Sequence, residues 1–182
     1  WRAPDGFSMH APIIFAFESR VDLSSCVTIF GDKEESKKPD HCTIILDESG
    51  NPVPHFVDVD GRAEADGKQM IILRTLSALL PQTRYVVAVQ NFRDLDGGLI
   101  PSPSGFARLR DGEATESQEI EAERLRFEEK IFPILADFGL NQSDLQLAWD
   151  FTTGSVEWAL TDLMQSRDLA LAWLDENPPE VA

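Results

Sequence analysis

Hydrophobic positions in the first half of the chain form short runs separated by polar and turn-forming residues. Short runs rich in β-branched and aromatic residues and bounded by Gly, Pro, Asn, Asp or Ser are typical of β-strands. The pattern predicts strands at residues 12–17, 42–47, 53–59, 69–73 and 84–90, and it is compatible with a further short strand at 27–30. The turn-forming residues 48–51 predict that strands 42–47 and 53–59 form a hairpin.

The pattern changes in the second half of the chain. Apolar residues recur at mostly helical spacing over 115–137, which predicts an amphipathic helix of about six turns. Pro133 inside this stretch predicts either a kink or the start of a last turn. Residues 156–174 predict a second helix, for which Ser155 is the expected N-cap.

Alternation returns between the two predicted helices and predicts a last strand at residues 145–153. The side chains expected on one face of that strand are Leu145, Leu147, Trp149 and Phe151. Residues 31–40, in contrast, are all polar, and they predict a mobile surface loop without a hydrophobic anchor.

Composition narrows the partners that this chain can take. Its 182 residues are 42% hydrophobic and 26% charged, as expected for a globular domain. Sixteen Lys and Arg against 32 Asp and Glu give a net charge of -16, which disfavours nucleic acid and anionic membrane surfaces as partners. No apolar run approaches the roughly 18–20 residues that span a bilayer, so we expect no membrane span.

Short strands at about 10-residue spacing predict a β-sandwich. Separately, three sequence segments resemble those of a known domain. They are Leu80-Pro81-x-Thr83-x-Tyr85-x-Val87-x-Val89, Asp94-x-x-Gly97 and Trp149-x-Phe151-Thr152-Thr153. In this order they resemble the bacterial immunoglobulin-like (Ig-like) domain of S-layer and other exported proteins. The resemblance implies that the first segment opens the penultimate long strand, the second forms its hairpin turn, and the third is the closing strand.

The closing strand comes late in this chain, so the resemblance implies an Ig-like fold with a helical insertion. We predict one module over residues 1–182. Its parts are most strands at 1–103, a helical insertion at 104–143, the closing strand at 144–153, a C-terminal helix at 154–176 and a linker at 177–182.

A narrower resemblance points to the amino-terminal region of exported proteins that continue into an α/β-hydrolase-like domain. The segments that carry it are Trp1, Asp5-Gly6-Phe7-Ser8, residues 84–88, residues 101–111 and residues 145–152. The catalytic part itself is not in this sequence: there is no G-x-S-x-G, and the three histidines have no nucleophile arrangement around them. We therefore expect no enzymatic activity from this chain.

The resemblance gives the only tyrosine, Tyr85, a structural role as a tyrosine corner, whose hydroxyl holds nearby backbone. Trp149 and Phe151 are expected in the core. Trp158 and Trp173 on the second helix are expected to centre an exposed apolar face that packs on a neighbouring domain or subunit.

Three further groups of residues have weaker predictions. Cys26 and Cys42 are either a disulfide or two independent buried thiols. The acidic turn that contains Asp58, Asp60 and Asp66 is a candidate calcium site, although no bidentate Glu closes the loop, and we predict no other cofactor. His10, His41 and His55 are each expected at the surface or at a strand edge.

These observations favour a non-catalytic structural or protein-interaction module of a larger exported protein. Its expected location is extracytoplasmic: a periplasm, a cell surface or an organelle lumen. Two alternatives stay open. One is an accessory amino-terminal region of an esterase- or lipase-like hydrolase, and the other is a calcium-dependent envelope or adhesion module.

Overall fold

The computed structural model describes residues 3–63 and 68–178, which contain two three-stranded antiparallel sheets and several helices. The first sheet has the order β1-β4-β3, where β1 is Ile13–Ala16, β3 is His55–Val59 and β4 is Met70–Thr75. The second has the order β2-β5-β6, where β2 is Thr43–Asp47, β5 is Arg84–Gln90 and β6 is Leu145–Thr152. The five principal predicted strands of the first half are present, whereas residues 27–30 form a turn instead of a strand.

The predicted hairpin of β2 and β3 is wrong, because the two strands belong to different sheets. The turn between them exists: the Val53 N–H donates to the Ile45 carbonyl at 2.8 Å. Pairing stops there because Pro52 and Pro54 have no N–H to donate to a ladder. The chain then crosses to the first sheet, where β3 pairs with β4.

Side chains from both sheets line one buried cluster. The first sheet contributes Val57, Ile71 and Leu73, and the second contributes Ile45, Tyr85, Val87, Val89 and Phe151. A second cluster covers the opposite face of the second sheet, where Ile44, Leu46, Val86 and Ala88 meet apolar side chains of the helical segment. The second sheet is therefore buried on both faces, and β5, its central strand, is buried at every residue except half-buried Arg84.

The helical segment consists of α1 (Ser104–Arg110), α2 (Gln118–Arg126), a π-helical turn (Phe127–Ile131) and α3 (Phe132–Asp137). Residues 118–137 thus confirm most of the predicted helix, with Pro133 in the first turn of α3. The Phe132 N–H donates to the Phe127 carbonyl five residues back. This wider turn directly precedes the proline, which cannot donate to the helical ladder.

An ion-pair cluster joins the helical segment to the second sheet. The carboxylate of Asp150 on β6 is 5% exposed and lies 2.6 Å from Arg84 Nε and 2.5 Å from Arg126 Nη2. Arg84 also donates to the Lys130 carbonyl at 2.9 Å. Strands β5 and β6 and the helices that cover them are therefore connected through one buried carboxylate.

The alternation predicted for the last strand holds only in part. Trp149 and Phe151 pack in the cluster between the sheets, but Leu145 faces the helical cluster. The cause is a β-bulge, because the register shifts between the Val89 and Gln90 pairs of β5. The side-chain amide of Gln146, at the bulge, is buried and bonds both the N–H and the carbonyl of Phe92, at 2.7 and 2.9 Å.

Residues 31–40 are not an unanchored loop. They contain the 3₁₀ helix Lys33–Lys37, and Ser36 within it is 1% exposed. The Ser36 hydroxyl accepts from the His55 N–H at 3.0 Å. The segment is anchored by this polar contact, so its lack of apolar residues did not mean that it was unanchored.

Tyr85 is 2% exposed, and its hydroxyl accepts a 2.8 Å hydrogen bond from the Leu80 N–H. This is the contact expected of a tyrosine corner. The Tyr85 ring also stacks on Phe151 of the neighbouring strand, with ring centroids 5.8 Å apart. The turn before β5 is thus held against the strand pair β5–β6.

Replacing Tyr85 with phenylalanine should lower the free energy of unfolding by about 1–2 kcal/mol, because the Leu80 N–H loses its acceptor while the ring is kept. Urea denaturation of the purified chain measures this. Leu80→Ala is the matched control, since it removes an exposed side chain but keeps the N–H; we expect a change within about 0.5 kcal/mol. Equal losses in both variants would contradict the role of the hydroxyl.

Candidate interaction surface at the base of the C-terminal helix

The last helix, α4 (Val156–Glu176), confirms the second predicted helix. Ser155 is its N-cap, and the Ser155 hydroxyl accepts from the Trp158 N–H at 2.9 Å. With 21 residues, α4 is about 31 Å long. Every residue from 162 to 178 is exposed, so most of the helix is not packed against the rest of the described chain.

Most apolar residues of α4 lie on one half of its circumference, an arc of about 180° at helical spacing. They are Val156, Ala159, Leu160, Leu163, Met164, Ala170, Leu171, Trp173 and Leu174, and we call this set the apolar face. Trp158, Leu169 and Ala172 lie outside this arc, and Leu169 is 72% exposed. Leu163 is 65% exposed and Trp173 is 60% exposed. Arg167 is the one charged residue within the arc.

The opposite half of α4 carries all of its carboxylates. These are Glu157, Asp162, Asp168, Asp175 and Glu176. Trp158 also lies on this half, where it is half-buried at the base of the helix. The two tryptophans predicted to centre one surface are therefore separated: Trp173 lies on the apolar face, and Trp158 contacts the body.

The N-terminal arm, residues 4–10, crosses the base of α4. The Phe7 N–H donates to the Thr152 carbonyl at 2.9 Å, and the Phe7 carbonyl accepts from the Gly154 N–H at 2.8 Å. The Asp5 carboxylate accepts from both the N–H and the hydroxyl of Ser155, at 3.1 and 2.6 Å. The D-G-F-S segment thus fixes the residues that connect β6 to α4.

The backbones of the arm and the connection touch at Gly6 and Gly154. A Cβ atom on Gly6 would lie 2.5 Å from the Gly154 nitrogen, well inside contact distance. A Cβ atom on Gly154 would lie 2.8 Å from the Asp5 carboxylate. Glycine at both positions permits this crossing.

Two cavities flank the arm. One of about 370 Å³ lies between the arm and the first turn of α4, where Met9, Trp158 and Ala159 line it. The other, about 180 Å³, is lined by Phe7, Ile13, Ile14, Trp149 and Phe151. The side chain of Phe7 is 65% exposed and its ring meets Phe151 edge-on, with centroids 5.6 Å apart. The apolar surface therefore extends from α4 onto the arm.

The candidate calcium residues are engaged in local contacts. Asp58 forms an ion pair with Arg74 at 3.5 Å and accepts from the Val59 N–H at 2.9 Å. Asp60 accepts from the Arg62 N–H, and Asp66 lies outside the described residues. Within residues 3–63 and 68–178, no group of three or more His, Cys, Asp or Glu side chains is arranged to hold a metal ion.

Two of the three histidines are not at the surface, although His55 begins the edge strand β3. His41 is 6% exposed and His55 is fully buried, with their ring centroids 5.6 Å apart, while His10 is exposed. Because His41 and His55 are distant in the sequence, their spacing did not predict that the rings would lie together. The Cys26–Cys42 disulfide, with Cα atoms 5.4 Å apart, lies directly beside it.

None of the helices in the described part of the chain combines the length and the apolar character needed to cross a membrane. Comparison of the chain with protein-family models, with curated proteins and with solved structures gave no match.

Gly6→Ala should free the arm from the connection before α4, because the new methyl group would overlap the Gly154 backbone. We expect a loss of about 2 kcal/mol or more in the free energy of unfolding and faster proteolysis between residues 3 and 10. Gly61→Ala is the control, since nothing lies within 4 Å of its Cβ position. Unchanged stability of Gly6→Ala would contradict the crossing geometry.

Proposed function

We propose that this chain is a non-catalytic interaction module, an Ig-like β-sandwich that holds α4 for docking on a neighbouring domain or subunit. The observation that carries the proposal is the exposed apolar face of α4. Contiguous exposed apolar surface of this kind marks protein-interaction sites. An amphipathic helix that is otherwise unpacked requires such a contact to bury its apolar half.

Three contacts support the Ig-like assignment. The two sheets line a shared cluster, the Tyr85 hydroxyl holds the turn at Leu80, and β5 pairs with the closing strand β6 along its length. The helical segment then occupies the outer face of one sheet as an insertion. In this arrangement the body is a support, and α4 is the part that binds the partner protein.

The width of the apolar face indicates the shape of its partner. A pair of helices in a coiled coil buries a narrow seam of two positions in seven, whereas α4 presents about half of its circumference. That width fits a groove formed by at least two elements. Arg167 is 53% exposed on the face and pairs with the adjacent Asp168, so it favours a groove with a carboxylate near its middle.

The contacts at the base of α4 favour one defined orientation of the bound partner. The arm and Ser155 set the direction in which the helix leaves the body, so a partner would meet α4, the arm and the exposed Phe7 together. The Cys26–Cys42 disulfide supports an extracytoplasmic location, because such bonds persist mainly in oxidising compartments.

A photoreactive residue placed at Leu163, on the apolar face, should cross-link one defined partner in the source cells. The same residue at Gln165, on the opposite side of α4, should not. The purified partner should then bind the wild-type chain, with Leu163→Glu weakening the Kd at least tenfold and Gln165→Glu changing it less than twofold.

Other products would contradict the proposal. Adducts of twice the chain's mass, together with dimers in light scattering, would mean that a second copy covers the face. Equal cross-linking from both positions, or none from either, would mean that the face does not dock. Binding to lipid vesicles that Leu163→Glu abolishes would assign the face to a membrane surface instead.

A further inference from the structure

The segment between the two cysteines, residues 27–41, is hydrogen-bonded to both sheets, and we call it the disulfide loop. The Val27 carbonyl accepts from the Val57 N–H of β3 at 2.8 Å. The Gln90 side chain of β5 donates to the carbonyls of Pro39 and His41, at 2.6 and 2.9 Å. With the Ser36–His55 bond, these contacts place the loop across one edge of the two sheets.

The hydrogen bonds of His41 define its tautomer. Its Nδ1 lies 2.7 Å from the Thr43 carbonyl oxygen, which can only accept, and 3.3 Å from the Thr43 backbone nitrogen. The shorter contact assigns the proton to Nδ1. The Nε2 of His41 accepts from the Val27 N–H at 2.9 Å. This bond exists only while the ring is neutral, because a proton on Nε2 would place two N–H groups against each other.

His55 has the same tautomer. Its Nδ1 lies 2.8 Å from the Val53 carbonyl, and its Nε2 accepts from the Thr43 hydroxyl at 2.8 Å. Burial lowers the pKa of His55 to about 4, and burial also lowers the pKa of His41 below its usual value. The pair therefore stays neutral in the closed state at neutral pH.

The charged groups near the histidine pair do little to stabilise the positive charge that a bound proton adds. Glu35 and Asp40, the carboxylates that favour a charged His41, are both exposed. A charged His41 in turn disfavours a charge on His55. The remaining side chains in contact, Ser36, Thr43 and Gln90, are uncharged, and Lys33 lies over the Phe56 ring on the same side.

We propose that the disulfide loop is an acid-sensitive strap, which detaches from the sheet edge when the histidine pair is protonated while both sheets stay folded. In the detached state the rings reach water and recover an ordinary pKa, so protons bind the detached state more strongly than the closed one. Detachment is therefore favoured as the pH falls below about 6.5 and increases down to about 4. The disulfide still joins Cys26 to Cys42 in the detached state, and the loop carries Phe30, which is 96% exposed.

The test is an NMR titration of the whole oxidised chain from pH 7.5 to 4. Ring nitrogen shifts report protonation of His41 and His55. Amide exchange, corrected for its intrinsic pH dependence, reports protection of the Val27 and His55 N–H groups. We expect at least a tenfold loss of protection at both amides as the rings titrate, with no change at Val87 in β5.

His41→Gln should remove the pH dependence at Val27, because the amide oxygen of glutamine accepts in place of Nε2 and does not titrate. His10→Gln is the control and should behave as the wild type. Protection at Val27 that persists to pH 4, or that falls together with Val87, would overturn the proposal. If His41→Gln does not fold, the wild-type titration decides alone: loss at Val27 must coincide with protonation of the His41 ring.

Discussion

The burial of β5 on both faces is the constraint on which the rest of the structure depends. Its odd-numbered residues Tyr85, Val87 and Val89 face the first sheet, while Val86 and Ala88 face the helices. An antiparallel strand with one face in water would alternate apolar and polar residues, and β5 does not. The helical segment between β5 and β6 is thus a required layer, since without it the outer face of the second sheet would be exposed.

Polar contacts then determine how these layers align. The Asp150 carboxylate connects the adjacent strands β5 and β6 to the helical segment through Arg84 and Arg126. The buried Gln146 amide satisfies backbone groups beside the β-bulge. Hydrophobic burial alone is not directional, so these satisfied polar groups favour the observed register.

The packing of the body and the packing of α4 differ, and this difference supports the proposed docking role of α4. The body has two buried apolar clusters, although single side chains such as Phe30 are exposed, whereas α4 leaves about half of its circumference apolar and exposed. Its base is nevertheless fixed by Asp5, Gly6 and Ser155. A helix that is held at its base and unpacked along its length is what the proposed docking role requires.

The sequence by itself determined the local elements. Apolar runs and helical spacing predicted the principal strands and both main helices, because these depend on residues close in the chain. The Ig-like resemblance pointed to Tyr85, whose hydroxyl accepts from the nearby Leu80 N–H. Tertiary structure decided everything that depends on distant pairs: which strands share a sheet, the bulge in β6, and the His41–His55 contact. It also decided that α4 stays unpacked, since helical periodicity indicates an apolar face but not what covers that face.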